Sequence, residues 1–371
     1  MVRFSLATDA RILQRASSVA ARPEPVNFRR PFPMPTATIL RDPAPALSGW
    51  QRELAAAIRD PAELCQMLGL DADVAAAART ATGAFPLLVP RTFAARMRPG
   101  DPRDPLLLQV LPQADETAAV AGWSADPLRE ADAVAAPGLV KKYAGRGLLL
   151  VTGGCAVNCR YCFRREFPYA ASGATRRGVE AGLDAIAADE TLTEVILSGG
   201  DPLLADDDFL GEIVARLDRI PHLRRLRIHS RLPVVLPARV TAGLARVLAA
   251  SRLSRVVVIH ANHPAELDES VAGAVRALAA LPAIVLNQAV LLAGVNDSAE
   301  TLAALSERLV EIGVTPYYLH LLDRVTGAAH FDVPVERAEA LHRRLRDMLP
   351  GYAVPRLARE VPGEPAKVWI A

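Results

Sequence analysis

From Arg146 onward the apolar and polar positions alternate between two rhythms. Short apolar runs at Leu148–Val151, Glu194–Leu197, Leu226–Ser230, Val256–His260, Ala283–Leu292 and Pro316–Leu322 read as strands. Between them, apolar residues recur every three to four positions near Val179–Ala188, Phe209–Ile220, Ala242–Ala250, Val271–Ala280 and Glu300–Ile312, with a last such stretch near Glu336–Met348. That is helical spacing. Six strand–helix units imply a parallel sheet, and right-handed crossovers make an α/β fold of the partial (β/α)6 barrel type the natural closure. Sites in such folds lie at the carboxyl ends of the strands.

Upstream the rhythm changes. Trp50, Leu54, Ala57 and Ile58 follow helical spacing, and Pro61 restarts a short helix that contains Cys65. Cys65 shares the apolar register of Leu64, Met67 and Leu68, so it belongs to packing. From Pro90 to Pro137 the text is broken by Pro102, Pro105, Pro112 and Pro127 and reads as a connecting wrap. Residues 1–40 are rich in Arg and Pro, with Asp9 and Glu24 as their only acids, and read as a flexible segment. The expected organisation is therefore 1–40 flexible, 41–140 helical and irregular, and 141–371 barrel.

Composition narrows the class. The chain is 51% apolar and 23% charged, enough for a sizeable core, and its formal charge of +2 gives no bulk attraction to nucleic acid. The charge-free run Ala277–Val295 is interrupted by Pro282, Asn287 and Gln288, which argues against a membrane span. No apolar secretory region opens the chain, and its sparse cysteines suit a reducing, cytoplasmic compartment.

Three of the four cysteines fall in one loop, as Cys155, Cys159 and Cys162 in a C-x3-C-x2-C spacing. Four cysteines in 371 residues are too sparse for a disulfide scaffold, and no second knuckle completes a structural zinc site. Thiolates are soft ligands that suit iron–sulfur clusters, and three can hold three irons of a 4Fe-4S cube while one iron stays open. The next strand ends in Leu197-Ser-Gly-Gly-Asp-Pro202, where Gly199 and Gly200 would let backbone approach a ligand.

The cysteine spacing, with an aromatic before its third cysteine, resembles the radical S-adenosylmethionine superfamily. From about Phe85 to Lys367 the chain resembles the lysine 2,3-aminomutase family, most closely its EpmB-type branch, which makes (R)-β-lysine for modifying elongation factor P. The carrying motifs are GGCAVNCRYCFRREFPY, LSGGDPLL, RIHSRLPVVLPARV, NQAVLLAGVND, YYLHLLDRVTGAAHF and LAREVPGEPAK. The resemblance implies a 4Fe-4S cluster on Cys155, Cys159 and Cys162, S-adenosyl-L-methionine met by Ser198, Gly199, Gly200 and Asp201, and pyridoxal 5′-phosphate linked to Lys367 as a Schiff base.

It further implies that Tyr143 and Arg146 bind the pyridoxal phosphate and that Arg164, with Arg165 as the alternative, clamps the substrate carboxylate. Asp323 and Glu360 would hold the distant ammonium of lysine, with Asp297 in reserve; Glu360 departs from the Asp common in the family. Glu364 and Pro365 likewise stand where much of the family runs on in glycines. His229, His260 and His263 fall at strand ends, and no metal role is expected of them. The implied partners are free L-lysine, an electron donor such as flavodoxin or ferredoxin, and a functional link to elongation factor P and its β-lysine ligase. Zinc is not expected, because the extra cysteines of the larger aminomutases have no counterpart. A glutamate 2,3-aminomutase and a non-catalytic iron–sulfur protein are the alternatives.

Overall fold

The computed structural model describes residues 47–83 and 85–371, and the reading of 1–40 lies outside them. Leu47–Ala371 forms one compact unit. Its first part is helical: α1 (Gly49–Ala55), α2 (Pro61–Met67) and α3 (Ala72–Ala81). Asp60 caps α2 by accepting a hydrogen bond from the Ala62 amide at 2.9 Å, and Pro61 sits at the first position, where its missing N–H costs nothing. Cys65 is buried in α2 among the apolar residues.

The stretch Pro90–Pro137 is more ordered than a connecting wrap. It forms two one-turn helices, α4 (Arg91–Ala94) and α5 (Pro105–Leu108), and the first strand, β1 (Val134–Ala136). Proline at the start of α5 initiates a turn instead of breaking one, with the Asp104 carboxylate accepting from the Leu106 and Leu107 amides. Phe93, Leu106, Leu107 and Val110 are fully buried in the same apolar cluster as the barrel, so this region is part of one core.

Among the described residues the sheet has ten strands in chain order: β1, β2 (Leu139–Tyr143), β3 (Arg146–Thr152), β4 (Glu194–Gly199), β5 (Arg225–Ser230), β6 (Ser254–Ile259), β7 (Ala283–Val290), β8 (Thr315–His320), β9 (Arg356–Arg359) and β10 (Val368–Trp369). β3 to β9 run parallel, while β1, β2 and β10 are antiparallel additions at the two edges. The helices α6 (Arg176–Ala188), α7 (Asp207–Asp218), the one-turn α8 (Leu232–Val235), α9 (Ala242–Ala250), α10 (Glu269–Ala279), α11 (Ala299–Glu311) and α12 (Val335–Met348) connect the parallel strands. β1 and β10 do not pair with each other, so the barrel is partial. Strand alternation splits its faces: in β5, Leu226 and Ile228 are buried core residues, while Arg227 and His229 line the interior cavity.

Candidate active site

A cavity of about 570 Å³ runs through the barrel interior to the carboxyl ends of the strands. Its wall contains Cys155, Cys159 and Cys162 from the loop after β3, Ser198 to Asp201 from the end of β4, and Tyr143 and Arg146 from the β2–β3 hairpin. Arg164, Asp323, Glu360 and Lys367 complete the set, so every principal residue singled out from the sequence reaches one space.

All three cysteines of the loop are free and line the cavity. Burial raises the Cys155 thiol, and burial with the neighbouring Cys159 pushes Cys162 up to about 11. Metal binding here would have to displace protons. Among the described residues, no three His, Cys, Asp or Glu side chains converge on a single ion. A cube takes each thiolate on a different iron, which is a wider arrangement.

The glycines after β4 serve a closer contact than expected. A Cβ on Gly199 would lie 2.2 Å from the Thr152 carbonyl oxygen, and one on Gly200 would lie 2.1 Å from that of Gly154. Gly199 also has φ +123°, open only to glycine. The backbone they admit is that of the cysteine loop, and the Gly200 and Asp201 amides donate to Thr152 and Gly154 at 2.9 and 2.8 Å. Asp201, which the resemblance places among the residues that meet S-adenosylmethionine, turns its carboxylate to protein donors. Its two oxygens accept from Ser230 Oγ and from the amides of Leu203, Arg231 and Leu232, at 2.7 to 3.1 Å. Burial nevertheless pushes this carboxyl up to about 6. Its visible work is to join the β4 loop to the β5 loop.

Arg164 and Arg165 part company. Arg165 turns to Glu116, the Arg160 carbonyl and the Gly327 carbonyl. Arg164 turns inward, is 9% exposed, and forms a fork with Glu130: Nε to Oε2 at 2.5 Å and Nη2 to Oε1 at 3.0 Å. Its Nη1 donates to Ser198 Oγ at 3.0 Å. Glu130 follows Arg129, whose left-handed φ of 52° is unusual for a side chain of that size.

Glu130 begins a ladder of alternating charge. Lys142 Nζ lies 3.4 Å from Glu130 and also donates to Glu360, which accepts from Lys367 Nζ at 2.7 Å. Burial alone would raise Glu360, but Lys367 and Lys142 hold it well below the carboxylate range. Asp323 is pushed up to about 7, by burial first and then by Glu360. Tyr143 carries the Arg146 guanidinium over its ring at 4.9 Å, and burial raises its phenol.

Three histidines face the same space. Burial lowers His229 and His320 well below the usual range and takes His260 to about 3, so all three are neutral. His229 Nε2 and His320 Nε2 are buried without a partner, as is Arg227 Nε. Orphaned polar atoms beside a cavity are what a polar ligand would satisfy. His263 is elsewhere, with Nδ1 accepting from the Ala265 amide at 3.2 Å as a turn cap. Asp297 also leaves the site: it accepts from the Gly294 amide and pairs with Arg337 at 2.7 Å.

The chain matches the Radical SAM superfamily over residues 149–305. It is 50% identical over 324 residues to an L-lysine 2,3-aminomutase of Escherichia coli (strain K12), covering 87% of this chain and 94% of that protein. The chain belongs to the lysine 2,3-aminomutase family. Another relative in this family, from Haemophilus influenzae, is 46% identical over 87% of this chain and 95% of its own, and one from Bacillus subtilis (strain 168) is 34% identical over 86% and 68%. Aminomutases are isomerases, and membership of the radical SAM superfamily brings a 4Fe-4S cluster and S-adenosylmethionine to this aminomutase. The three unpaired cavity thiols fit the cluster. Glu130, Lys142, His320 and Arg231 are wall residues that the sequence reading did not single out. Arg231 could have been found within RIHSRLP; Glu130 had no local signal.

Proposed function

We propose that this chain moves the α-amino group of L-lysine to carbon 3, giving (R)-β-lysine for the modification of elongation factor P. The observation that carries the reading is the single cavity bounded by three thiols, an inward arginine and the Glu360–Lys367 pair. Pyridoxal phosphate fits it chemically: Lys367 offers an amine, Arg146 and Lys142 offer cations, and the unpartnered atoms of His229, His320 and Arg227 offer polar contacts. When bound, the cluster and S-adenosylmethionine supply a carbon radical, and pyridoxal phosphate supplies a carbonyl that stabilises an amino group in transit.

The protein's part is placement. Arg164 presents its remaining Nη2 donor to the substrate carboxylate, while Glu130 fixes the guanidinium plane. Asp323 and Glu360 receive the ε-ammonium, so lysine is stretched between an arginine and two acids with carbon 3 between them. A distal carboxylate such as that of glutamate would meet those acids with like charge. Tyr143 and Arg146 hold the phosphate end, and Ser198, Gly199 and Gly200 line the S-adenosylmethionine side. An electron donor of the flavodoxin or ferredoxin class would reduce the cluster, in a cytoplasmic setting.

Anaerobically reconstituted protein with S-adenosylmethionine and reductant should convert L-lysine to β-lysine. Borohydride should fix pyridoxal phosphate on the peptide bearing Lys367. Label on Lys141 or Lys142, or no β-lysine from protein with a full cluster, would overturn the reading. Loss of β-lysylated elongation factor P on deleting the gene tests the cellular role.

A further inference from the structure

Arg231 stands where the cluster loop meets two other strand ends. It follows β5, is 7% exposed, and sends its guanidinium to three acceptors from three segments of chain. Nη1 donates to Cys159 Sγ at 2.7 Å, and Nη2 donates to Gln109 Oε1 at 2.6 Å and Glu266 Oε2 at 3.0 Å. Its own amide donates to Asp201, which ties it to the loop after β4.

The support behind it is equally buried. Glu266 is fully buried, and its other oxygen accepts from the Asn262 and His263 amides and from Gln109 Nε2 at 2.8 to 3.2 Å. Asn262 in turn donates to Gln109 and to the Tyr161 hydroxyl. The segment His260-Ala-Asn-His-Pro264 thereby gains a purpose: it anchors the carboxylate that aims Arg231. A permanently charged planar fork, held on two sides and bearing on one cysteine sulfur, is a fixed local charge.

We propose that Arg231 is a positioning residue that holds Cys159 and sets the reduction potential of the cluster. One-electron reduction adds negative charge to the cluster and its thiolates. A cation fixed against one ligand stabilises the reduced form more than the oxidised form, and so raises the potential. The electron comes from the external donor, and no bond to Arg231 forms or breaks. The inference rests on Cys155, Cys159 and Cys162 holding the cluster, which iron and sulfide analysis of the parent protein checks separately.

The test is the midpoint of the reconstituted holoenzyme, followed by electron paramagnetic resonance during a mediated reductive titration. Replacing Arg231 alone would strand a buried Glu266, so the main variant is the double change Arg231→Met with Glu266→Gln. Arg231→Lys accompanies it, keeping the charge but losing the fork. The double variant should hold the parent's iron content and show a more negative midpoint, with Arg231→Lys in between. A parental midpoint in every variant that holds the cluster would overturn the proposal. Loss of iron from both folded variants would also overturn it, by making Arg231 a purely structural residue.

Discussion

Asp323 and Glu360 are two acids in one cavity whose surroundings drive them apart. Lys367 and Lys142 keep Glu360 ionised, whereas burial beside that charge pushes Asp323 up to about 7. A raised acid is charged only above its midpoint, so an ammonium that needs both carboxylates binds better as pH rises through about 7. The kcat/KM for lysine, which reports the free enzyme, should therefore fall below pH ~7, and Asp323→Asn should lack that limb. Asp323→Asn and Glu360→Gln should each reduce kcat/KM by roughly 10²–10⁴-fold, since breaking one partner of a buried pair costs about 3–5 kcal/mol. Both should keep the cluster and pyridoxal absorbance; turnover within about threefold of the parent would remove that acid from the substrate site. Residue types and neighbourhoods were readable from the motifs, but side-chain direction was not. Asp297 has the right chemistry just after a strand, yet the Gly294 amide and Arg337 claim its oxygens. Glu130 was illegible because it enters from a stretch with no periodic pattern.

The joint between β3 and β4 shows what a whole element had to satisfy. Gly199 and Gly200 allow the end of β4 to press against Thr152 and Gly154, which holds the cysteine loop in place. Gly200→Ala would set a methyl against a backbone oxygen that cannot swing away. It should destabilise the protein by about 1–3 kcal/mol and reduce iron content, measured by thermal unfolding and metal analysis. A parental melting temperature with full iron would show that the joint has slack. At this scale the sequence read well where strands are apolar and flanked by long amphipathic helices, as for β4 to β8. It read poorly at the edges. β2 carries two lysines, one of them turned into the cavity, and β9 and β10 have four and two residues, too few to show a period.

Across the whole molecule, the sheet keeps its strands in chain order and stops short of closure, with β1 and β10 as brief edges that offer little template for further pairing. The cysteine loop follows the first parallel strand, whereas Lys367 arrives immediately before β10. That order sets a clock during synthesis. About 200 residues separate Cys155 from Lys367, and translation at roughly 5–20 residues per second places them on the order of 10–40 s apart. For that interval the nascent chain carries the three thiols but not Lys367. The three cluster ligands are therefore all made before the lysine that completes the cavity wall.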